Sequence, residues 1–346
     1  MKKASVVTMA DVARSAGVST MTVSNVVNGR PRVGAATRER VLAAITELGY
    51  QVNLAARHLR AGRTGVIGLA VPELERPYFA QLAGRLADRF DAHGLRIVME
   101  RTGASREGEL EAVAFSRLRM YDGLILSVVD IDPGELSRLN TDAPVVMIGE
   151  RALPSRFDHV RMDNIGGARM ATEQLLSTGA RRVAMIGGDP SGSATMPGLR
   201  ASGYALAHEE AGVPVDPLLN VPSNFGLRDG YDAIRSLLDR GISFDAVFAL
   251  TDVVAMGALR ALADAELRVP ADVQVIGFDD LDEAAYLVPS LSSINPGHEQ
   301  MAEEITSRML AHLGGAEPAG PHELTVPARL VLRGTTRSGQ EAGDLL

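Results

Sequence analysis

The stretch DVARSAGVSTMTVSNVVNG, residues 11–29, alternates apolar and polar positions at the spacing of two short helices. Val12, Ala13 and Ala16 fall on one side of a first helix of about two turns. Gly17 follows, and glycine adopts the positive φ of a tight turn without strain. The pattern predicts a helix and a turn that lead into a second helix.

The second helix is predicted to have an apolar and a polar face. Ser19 is a good N-cap for it. Its inward face consists of Val23, Val26 and Val27. At about 100° per residue, the opposite face carries Met21, Ser24, Asn25 and Asn28, with Thr20 at its leading edge. Short uncharged polar side chains can approach base edges and phosphates closely, so this face is a candidate DNA-reading surface.

A third helix is predicted from Thr37 to Gly49, with Val41, Ile45 and Leu48 facing inward. Four arginines flank the predicted bundle and could contact a nucleic-acid backbone: Arg30, Arg32, Arg38 and Arg40. A plain three-helix bundle without a ligand is the alternative interpretation.

Residues 53–64, NLAARHLRAGRT, predict a short helix or linker. Asn53 can cap such a helix and Gly62 can end it. A helix of this length is marginal in isolation, because nucleation costs more than its few hydrogen bonds return. We therefore expect a segment that becomes ordered when something docks against it, or else a flexible linker.

After Thr64 short apolar runs alternate with stretches of helix length. This alternation predicts parallel sheets covered by helices on both faces, divided between two similar subdomains. The predicted strands are 65–71, 95–100, 122–128, 144–149, 159–163, 182–188, 245–250 and 273–278. The predicted helices are 77–93, 105–120, 166–178, 197–211, 228–240 and 252–265.

Ligands of such folds lie beyond the carboxyl ends of the strands, and polar or aromatic residues follow several of them here. The candidate ligand-binding residues are the aromatic Tyr78, Phe79 and Phe225, and the charged Arg200, Asp252 and Asp279. Carboxylates and arginine bond hydroxyl groups in pairs, while aromatic rings stack on the apolar face of a sugar. The set predicts a polyhydroxylated ligand. Taken singly, each could instead be a packing residue, a surface ion pair or a solvated turn.

The net charge of the chain changes sign near residue 64, where the hydrophobic pattern also changes. Residues 1–64 hold ten Lys and Arg against three Asp and Glu, a net charge of +7, and the other 25 basic and 40 acidic residues give −15. Such asymmetry is typical of a polyanion-binding module joined to an acidic body, although a solvated basic surface would look the same.

No targeting or membrane segment is predicted. Asp11 and Arg14 interrupt a start that otherwise resembles a signal peptide. No apolar run approaches the ~20 residues that cross a bilayer. The chain has no cysteine, which fits a reducing compartment. We expect a cytoplasmic location.

Common enzyme motifs are missing from the sequence. No lysine follows Lys3, which excludes a Walker lysine and Schiff-base chemistry in the body. The sequence has no G-x-S-x-G motif and no H-x-x-x-H pair. GGDPSGSATMPG, residues 187–198, has neither P-loop nor dinucleotide spacing, and we interpret it as a flexible cleft edge. We expect no catalysis, cofactor or metal.

Residues 9–53, MADVARSAGVSTMTVSNVVNGRPRVGAATRERVLAAITELGYQVN, resemble the N-terminal headpiece of the LacI/GalR family of bacterial transcriptional repressors. The resemblance implies that Thr20, Met21 and Asn25 read bases. It implies phosphate contacts for Ser19, Thr22, Ser24 and Asn28. The family usually has arginine where this chain has Asn25. Arginine favours guanine and asparagine favours adenine, so the half-site preference stays open.

By the same resemblance, residues 53–64 correspond to the hinge helix that pairs with its dimer mate in the minor groove. Asn53 and Leu59 are the DNA-contacting residues expected there. Leu59 falls where the family inserts a leucine between base steps, which kinks the duplex. Val52 replaces the proline usually found ahead of this helix.

The resemblance continues to about Ser338 through phrases such as DGLIL, ALTDVVAMGALRAL and LVLRGTTRS. It implies a two-lobed, type I periplasmic-binding-protein-like effector domain. Arg200 and Asp279 match effector-binding positions, and Phe225 matches a ring that stacks on the ligand. Thr251, a further expected effector contact, replaces a common asparagine. Family effectors are sugars, sugar phosphates and nucleobases, and we favour a sugar.

The expected fold class is therefore α/β, with an all-α helix-turn-helix headpiece ahead of the two-lobed effector domain. The expected domains are a headpiece (1–52), a hinge (53–64), an effector-binding and dimerisation domain (65–338) and a tail (339–346). Within the third, we expect lobe 1 at about 65–160 and 290–320, and lobe 2 at about 161–289 and 321–338. The chain would thus cross between lobes near 160, 290 and 321.

The resulting hypothesis is a repressor of carbohydrate genes that binds a pseudo-palindromic operator as a homodimer, under control of a small effector. The tail is too short for the heptads of a tetramerising coiled coil. Whether the effector induces or corepresses stays open. The alternatives are a sugar-binding receptor without DNA function and a sugar- or nucleotide-processing enzyme.

Overall fold

The computed structural model describes residues 7–27, 33–50, 63–136, 138, 143–150, 156–318 and 322–337. The chain divides into two units, residues 1–64 and residues 65–346. We refer to the first as the headpiece unit and to the second as the body.

Three helices form the described part of the headpiece unit: α1 (Met9–Ala16), α2 (Thr20–Val27) and α3 (Ala35–Leu48). The predicted helix-turn-helix is confirmed. α1 begins at Met9 because Thr8 and Asp11 cap it reciprocally. The Thr8 amide donates to Asp11 Oδ2 at 3.0 Å, and the Asp11 amide donates to Thr8 Oγ1 at 3.4 Å. Gly17 ends the helix in the left-handed conformation, at φ 64°.

The headpiece core joins all three helices. The valines at its centre, Val12, Val23 and Val41, are fully buried. Tyr50 is also buried there, and sequence reasoning did not identify it. The left-handed turn at Gly49 (φ 62°) lets the Tyr50 amide donate to the Ile45 carbonyl at 3.0 Å, which brings the ring to the core.

The body contains two six-stranded sheets, each covered by helices. The first sheet is parallel throughout, in the order β11-β5-β4-β3-β1-β2. Its strands are β1 (Val66–Val71), β2 (Arg96–Arg101), β3 (Gly123–Ser127), β4 (Val145–Ile148), β5 (Asp158–Met162) and β11 (Glu323–Val326). With helices α4 (Pro77–Asp91), α5 (Arg106–Ala112), α6 (Phe115–Leu118), α7 (Pro133–Leu136) and α12 (His298–Leu313), it forms lobe 1.

The second sheet has the order β12-β10-β9-β8-β6-β7, with only β12 antiparallel to its neighbour among the described pairings. Its strands are β6 (Val183–Ile186), β7 (Asn220–Val221), β8 (Ala246–Ala249), β9 (Gln274–Phe278), β10 (Ser292–Asn295) and β12 (Arg329–Val331). With helices α8 (Asn164–Ser177), α9 (Met196–Glu210), α10 (Leu227–Asp239) and α11 (Asp252–Asp264), it forms lobe 2.

The chain crosses between the lobes after β5, after β10 and after β11. The second and third crossings lie further along the chain than the expected positions near 290 and 321. β10 still pairs with β9, with Ser292 opposite Ile276, and β11 still pairs with β5, with Glu323 opposite His159. Each of these strands is four residues long, and neither has the continuous apolar run that marked the predicted strands.

Two helical regions also differ from expectation. The stretch 105–120 is broken into α5 and α6, since Val113 leaves helical geometry with φ −93° and ψ 4°. α12 was not predicted, although Met301, Ile305 and Met309 form a buried stripe along it. α12 follows the second crossing and packs on α4 and the lobe 1 sheet.

The helices in the described residues are all too short or too polar to cross a membrane.

Candidate functional site

The first candidate site is the outer face of α2. Met21 is 68% exposed, and Ser19 and Thr20 are exposed, while Val23 and Val26 on the opposite side are buried. Thr22, Ser24 and Asn25 are half-buried. This part of the predicted set therefore lies along one polar surface. Asn28, Asn53 and Leu59 lie outside the described residues.

Ser19 caps α2 as its sequence position predicts. Its Oγ accepts from the Thr22 amide at 3.1 Å, and the two hydroxyl oxygens lie 2.9 Å apart. One hydroxyl donates to the other, so the pair retains one hydroxyl hydrogen for a further acceptor such as a phosphate.

The second candidate site is a cavity of about 210 Å³ between the two lobes of the body. Its walls come from residues at or just after the carboxyl ends of strands, where ligands of parallel sheets bind, and from the first turns of two helices, α4 and α9. Lobe 1 contributes Glu73, Glu75, Arg76, Pro77, Tyr78, Phe79, Ser127, Ile148, Gly149, Glu150 and Met162. Lobe 2 contributes Met196, Arg200, Asn224, Phe225, Gly226, Thr251, Val253 and Asp279.

Arg200 is a cation in the wall of this cavity, and it is 2% exposed. Its Nε donates to Asn164 Oδ1 at 2.8 Å, and its Nη1 donates to the Leu250 carbonyl. Its Nη2 lies 3.7 Å from Asp279 Oδ1. The guanidinium carbon lies 3.4 Å from the centroid of the Phe278 ring, so the plane of the cation is fixed from several sides. Burial lowers the pKa of Arg200, and Asp279 opposes that shift.

Asp279 lies at the carboxyl end of β9 in a left-handed backbone conformation, at φ 113°. Its amide donates to the Ile294 carbonyl at 2.9 Å, and its carbonyl accepts from His298 Nε2. Burial raises the pKa of the Asp279 carboxyl to about 7, although Arg200 and Arg76 lower it. A carboxyl that titrates near neutrality beside a fixed arginine can accept from a ligand hydroxyl when ionised.

Glu150 adds a second titratable carboxyl to the cleft. Burial raises its pKa, and the positive charge of Arg200 opposes that shift. Because Glu150 follows β4 in lobe 1 and Asp279 follows β9 in lobe 2, the cleft offers acceptors from both lobes.

The three predicted aromatic residues all line the cavity. Tyr78 and Phe79 meet edge to face with their centroids 5.1 Å apart, and the Tyr78 hydroxyl donates to the Met301 sulfur at 3.6 Å. Burial raises the pKa of Tyr78, so its phenol stays protonated. Phe225 lines the cavity from lobe 2 in a left-handed backbone conformation, at φ 69°.

Thr251 and Asp252 have different places in the structure. Thr251 lines the cavity, and its Oγ1 accepts from the Val254 amide at 3.2 Å to cap α11. Asp252 does not line the cavity, so its expected effector contact is wrong. Its carboxylate is fully buried against β9 and β10, accepting from the Leu281 amide at 2.8 Å and from Ser293 Oγ at 2.6 Å.

Sequence reasoning missed other cavity residues, among them Glu73, Arg76, Ser127 and Glu150. All follow or end predicted strands, so the rule that located Asp279 could have located them. The described residues contain no group of three or more His, Asp or Glu side chains placed to hold a metal ion.

Two parts of the chain match known families. Residues 8–53 match the bacterial regulatory proteins of the lacI family, and residues 172–336 match the periplasmic binding protein-like domain. The chain is 32% identical over 335 residues to the ribose operon repressor of Halalkalibacterium halodurans, which covers 97% of this chain and 98% of the relative.

Solved structures are similar over nearly the whole length. The complex of the transcriptional regulator CelR with cellobiose has a TM-score of 0.67 and 33% identity, over 95% of this chain and 99% of that one. The lac repressor dimer bound to operator and the anti-inducer ONPF has a TM-score of 0.80 and 27% identity, over 96% and 99%. These relatives are regulators and not enzymes. The chain belongs to the LacI family of bacterial regulatory proteins.

Proposed function

We propose that this protein is a transcriptional repressor that binds a pseudo-palindromic operator as a homodimer and responds to a small sugar effector. The observation that carries the proposal is the exposed polar face of α2, set on a helix-turn-helix of the LacI family. One headpiece reads one half-site, so two-fold operator symmetry requires two copies. Because the operator is genomic DNA, the protein works in the cytoplasm.

In this proposal Thr20, Met21 and Asn25 read base edges, since α2 presents them away from the headpiece core. The backbone contacts come from Ser19, Thr22, Ser24 and Asn28. Ser19 and Thr22 supply one hydroxyl hydrogen between them, because the other joins the two side chains. Asn53 and Leu59 act from the hinge, with Leu59 inserted between base steps.

The proposed effector site is the interlobe cavity. Arg200 and Asp279 bond ligand hydroxyls, and Tyr78, Phe79 and Phe225 contact the apolar face of a sugar ring. Nη1 of Arg200 is bonded to the Leu250 carbonyl, so Nη2 serves the ligand; it lies 3.5 Å from the Met162 sulfur and 3.7 Å from Asp279 Oδ1. Thr251 contributes a hydroxyl from the start of α11.

Effector binding then changes the angle between the lobes and the separation of the two hinge segments (53–64) in the dimer. Coupling free energies between such sites are typically about 1–3 kcal/mol. The names of two relatives, a ribose operon repressor and a CelR regulator solved with cellobiose, support genes of carbohydrate uptake or catabolism as targets.

The test is operator binding by base-contact variants. Met21→Ala and Asn25→Ala should each weaken binding to the native upstream DNA by about 1–3 kcal/mol, measured by fluorescence anisotropy. The matched control is Met120→Ala, an exposed methionine in the body (54% exposed), which should bind as the wild type does.

If Met21→Ala and Asn25→Ala bind the upstream DNA as tightly as Met120→Ala and the wild type do, the outer face of α2 does not read the bases. A sugar-binding receptor without DNA function would bind a saccharide and show no preference for upstream DNA over an unrelated fragment.

A further inference from the structure

Arg76 joins the two lobes at the cavity. It precedes α4 in lobe 1, and its guanidinium carbon lies 5.2 Å from the centroid of the Phe225 ring in lobe 2. Glu73, also in lobe 1, accepts from Arg76 Nε at 2.6 Å. A cation within about 6 Å of an aromatic centroid is attracted to its face, so Arg76 forms a cation–π contact across the cleft.

Phe225 has little freedom to turn away from this contact. Its backbone is left-handed, and its amide donates to Ser223 Oγ at 3.1 Å. The ring packs against both apolar clusters of lobe 2, and a Cβ placed on Gly187 would lie 3.2 Å from Phe225 Cε1. The Phe225 ring therefore faces the cavity with the same side that contacts Arg76.

We propose that Arg76 is a specificity-determining residue that competes with the ligand for the Phe225 ring. This inference rests on the proposed effector site. A sugar ring in van der Waals contact with Phe225 needs the space that the guanidinium fills, so Arg76 must leave the ring when such a ligand binds. The displaced cation keeps Glu73 as its partner in lobe 1, so the competition for the ring needs no contact between Arg76 and the ligand.

Arg76 also interacts electrostatically with carboxyl groups of both lobes. The positive charge of Arg76 lowers the pKa of Asp279 and of Glu150, one carboxyl in each lobe. Arg76 thus attracts groups of both lobes, and its removal should loosen the lobe contact and raise the pKa of Asp279.

The first experiment needs no ligand. Because the chain has no native cysteine, Leu74→Cys and Ala194→Cys place one spin label on an exposed position of each lobe. Labelled protein is mixed with excess unlabelled full-length protein, and the label-to-label distance is measured by pulsed electron resonance. In Arg76→Ala the distances should lengthen or broaden, and Arg76→Gln should do the same.

The matched control is Arg89→Ala, which removes an arginine of α4 that pairs with Glu299 within lobe 1. It should leave the distances unchanged. Distances in both Arg76 variants that equal those of the wild type would overturn the proposal.

The second experiment uses ribose and cellobiose as probes in titration calorimetry of the full chain. At a pH high enough to ionise Asp279 in both proteins, Arg76→Ala should bind a sugar ligand about 3- to 10-fold more tightly than the wild type does, and the pH midpoint of binding should rise. Weaker binding would mean that Arg76 is a direct ligand contact, and the proposal would be wrong. If neither sugar binds any variant, the distance measurement alone decides whether the proposal holds. Failure of the proposed function would appear separately, as a lack of preference for operator DNA.

Discussion

At the scale of single residues, the cleft contains a carboxyl whose titration should govern effector binding. Asp279 has a pKa of about 7 because it is buried, with Arg200 and Arg76 limiting the rise. Only the ionised carboxylate accepts hydrogen bonds through both oxygens. A sugar that donates a hydroxyl to it therefore favours the ionised form.

Effector affinity should accordingly rise as the pH passes upward through 7. If only the ionised form binds, affinity at pH 8 exceeds that at pH 6 by roughly tenfold. Asp279→Asn should bind more weakly at pH 8 and show a flattened pH profile, measured by calorimetry over that range. An unchanged pH profile in Asp279→Asn would mean that another group titrates.

Asp252 belongs to the same scale but has a structural role. Asp252→Ala leaves the buried Leu281 amide and Ser293 hydroxyl without their acceptor, which should lower the free energy of unfolding by about 1–3 kcal/mol in urea denaturation. Asp264→Ala, at the other end of α11, removes a surface ion pair with Arg260 and a hydrogen bond from the Tyr231 hydroxyl, and should cost less than about 1 kcal/mol. Equal losses in the two variants would contradict this assignment.

The contrast between Asp279 and Asp252 shows what the sequence could predict about the site. Both follow strands, and that rule placed both near the ligand. The direction of each side chain depends on neighbours distant in sequence: Gly277 leaves room for Asp252 Oδ1, which a Cβ at that position would approach to 2.1 Å. Arg76 was overlooked because its partner, Phe225, lies on the other lobe.

At the scale of elements, periodicity predicted the elements with continuous apolar runs, such as β1, β3 and β8, whose inner residues are buried. It missed β10, in which Ser292 and Ser293 are buried polar residues. The Ser292 amide donates to Thr335 Oγ1 at 2.8 Å, a partner 43 residues away. Only the folded chain supplies such partners, so no local pattern reveals the strand.

α12 depends on a buried ion pair for its place on lobe 1. Arg308 Nη1 donates to Asp158 Oδ1 at 2.8 Å, both side chains are at most 3% exposed, and His312 Nε2 lies 2.7 Å from Asp158 Oδ2. Asp158→Ala removes the hydrogen-bonded counter-charge of the buried Arg308, leaving only Glu304 at 3.7 Å from its Nε, and should destabilise the body by about 3–5 kcal/mol.

Chemical denaturation of the full chain measures that loss. The double variant Asp158→Leu, Arg308→Met removes both charges together and should recover most of the stability. A double variant as unstable as Asp158→Ala would show that lost packing, and not the unpaired charge, causes the effect.

At the scale of the whole molecule, a basic N-terminal unit and an acidic two-lobed body perform separate tasks on one chain. The sequence predicted this division from its charge and from the change of periodicity near residue 64, where the structure also divides the chain. Local pattern predicts a ligand site between the lobes but does not identify the ligand, because the chemistry of the cavity depends on residues from both lobes.

The most direct test measures binding of the purified full-length protein to its native upstream DNA, beside a shuffled fragment of equal length, in fluorescence anisotropy at modest ionic strength. We predict a strong preference for the native fragment and a change in that affinity when the matching saccharide from a panel is added. Equal affinity for both fragments, with and without every saccharide, would contradict the account.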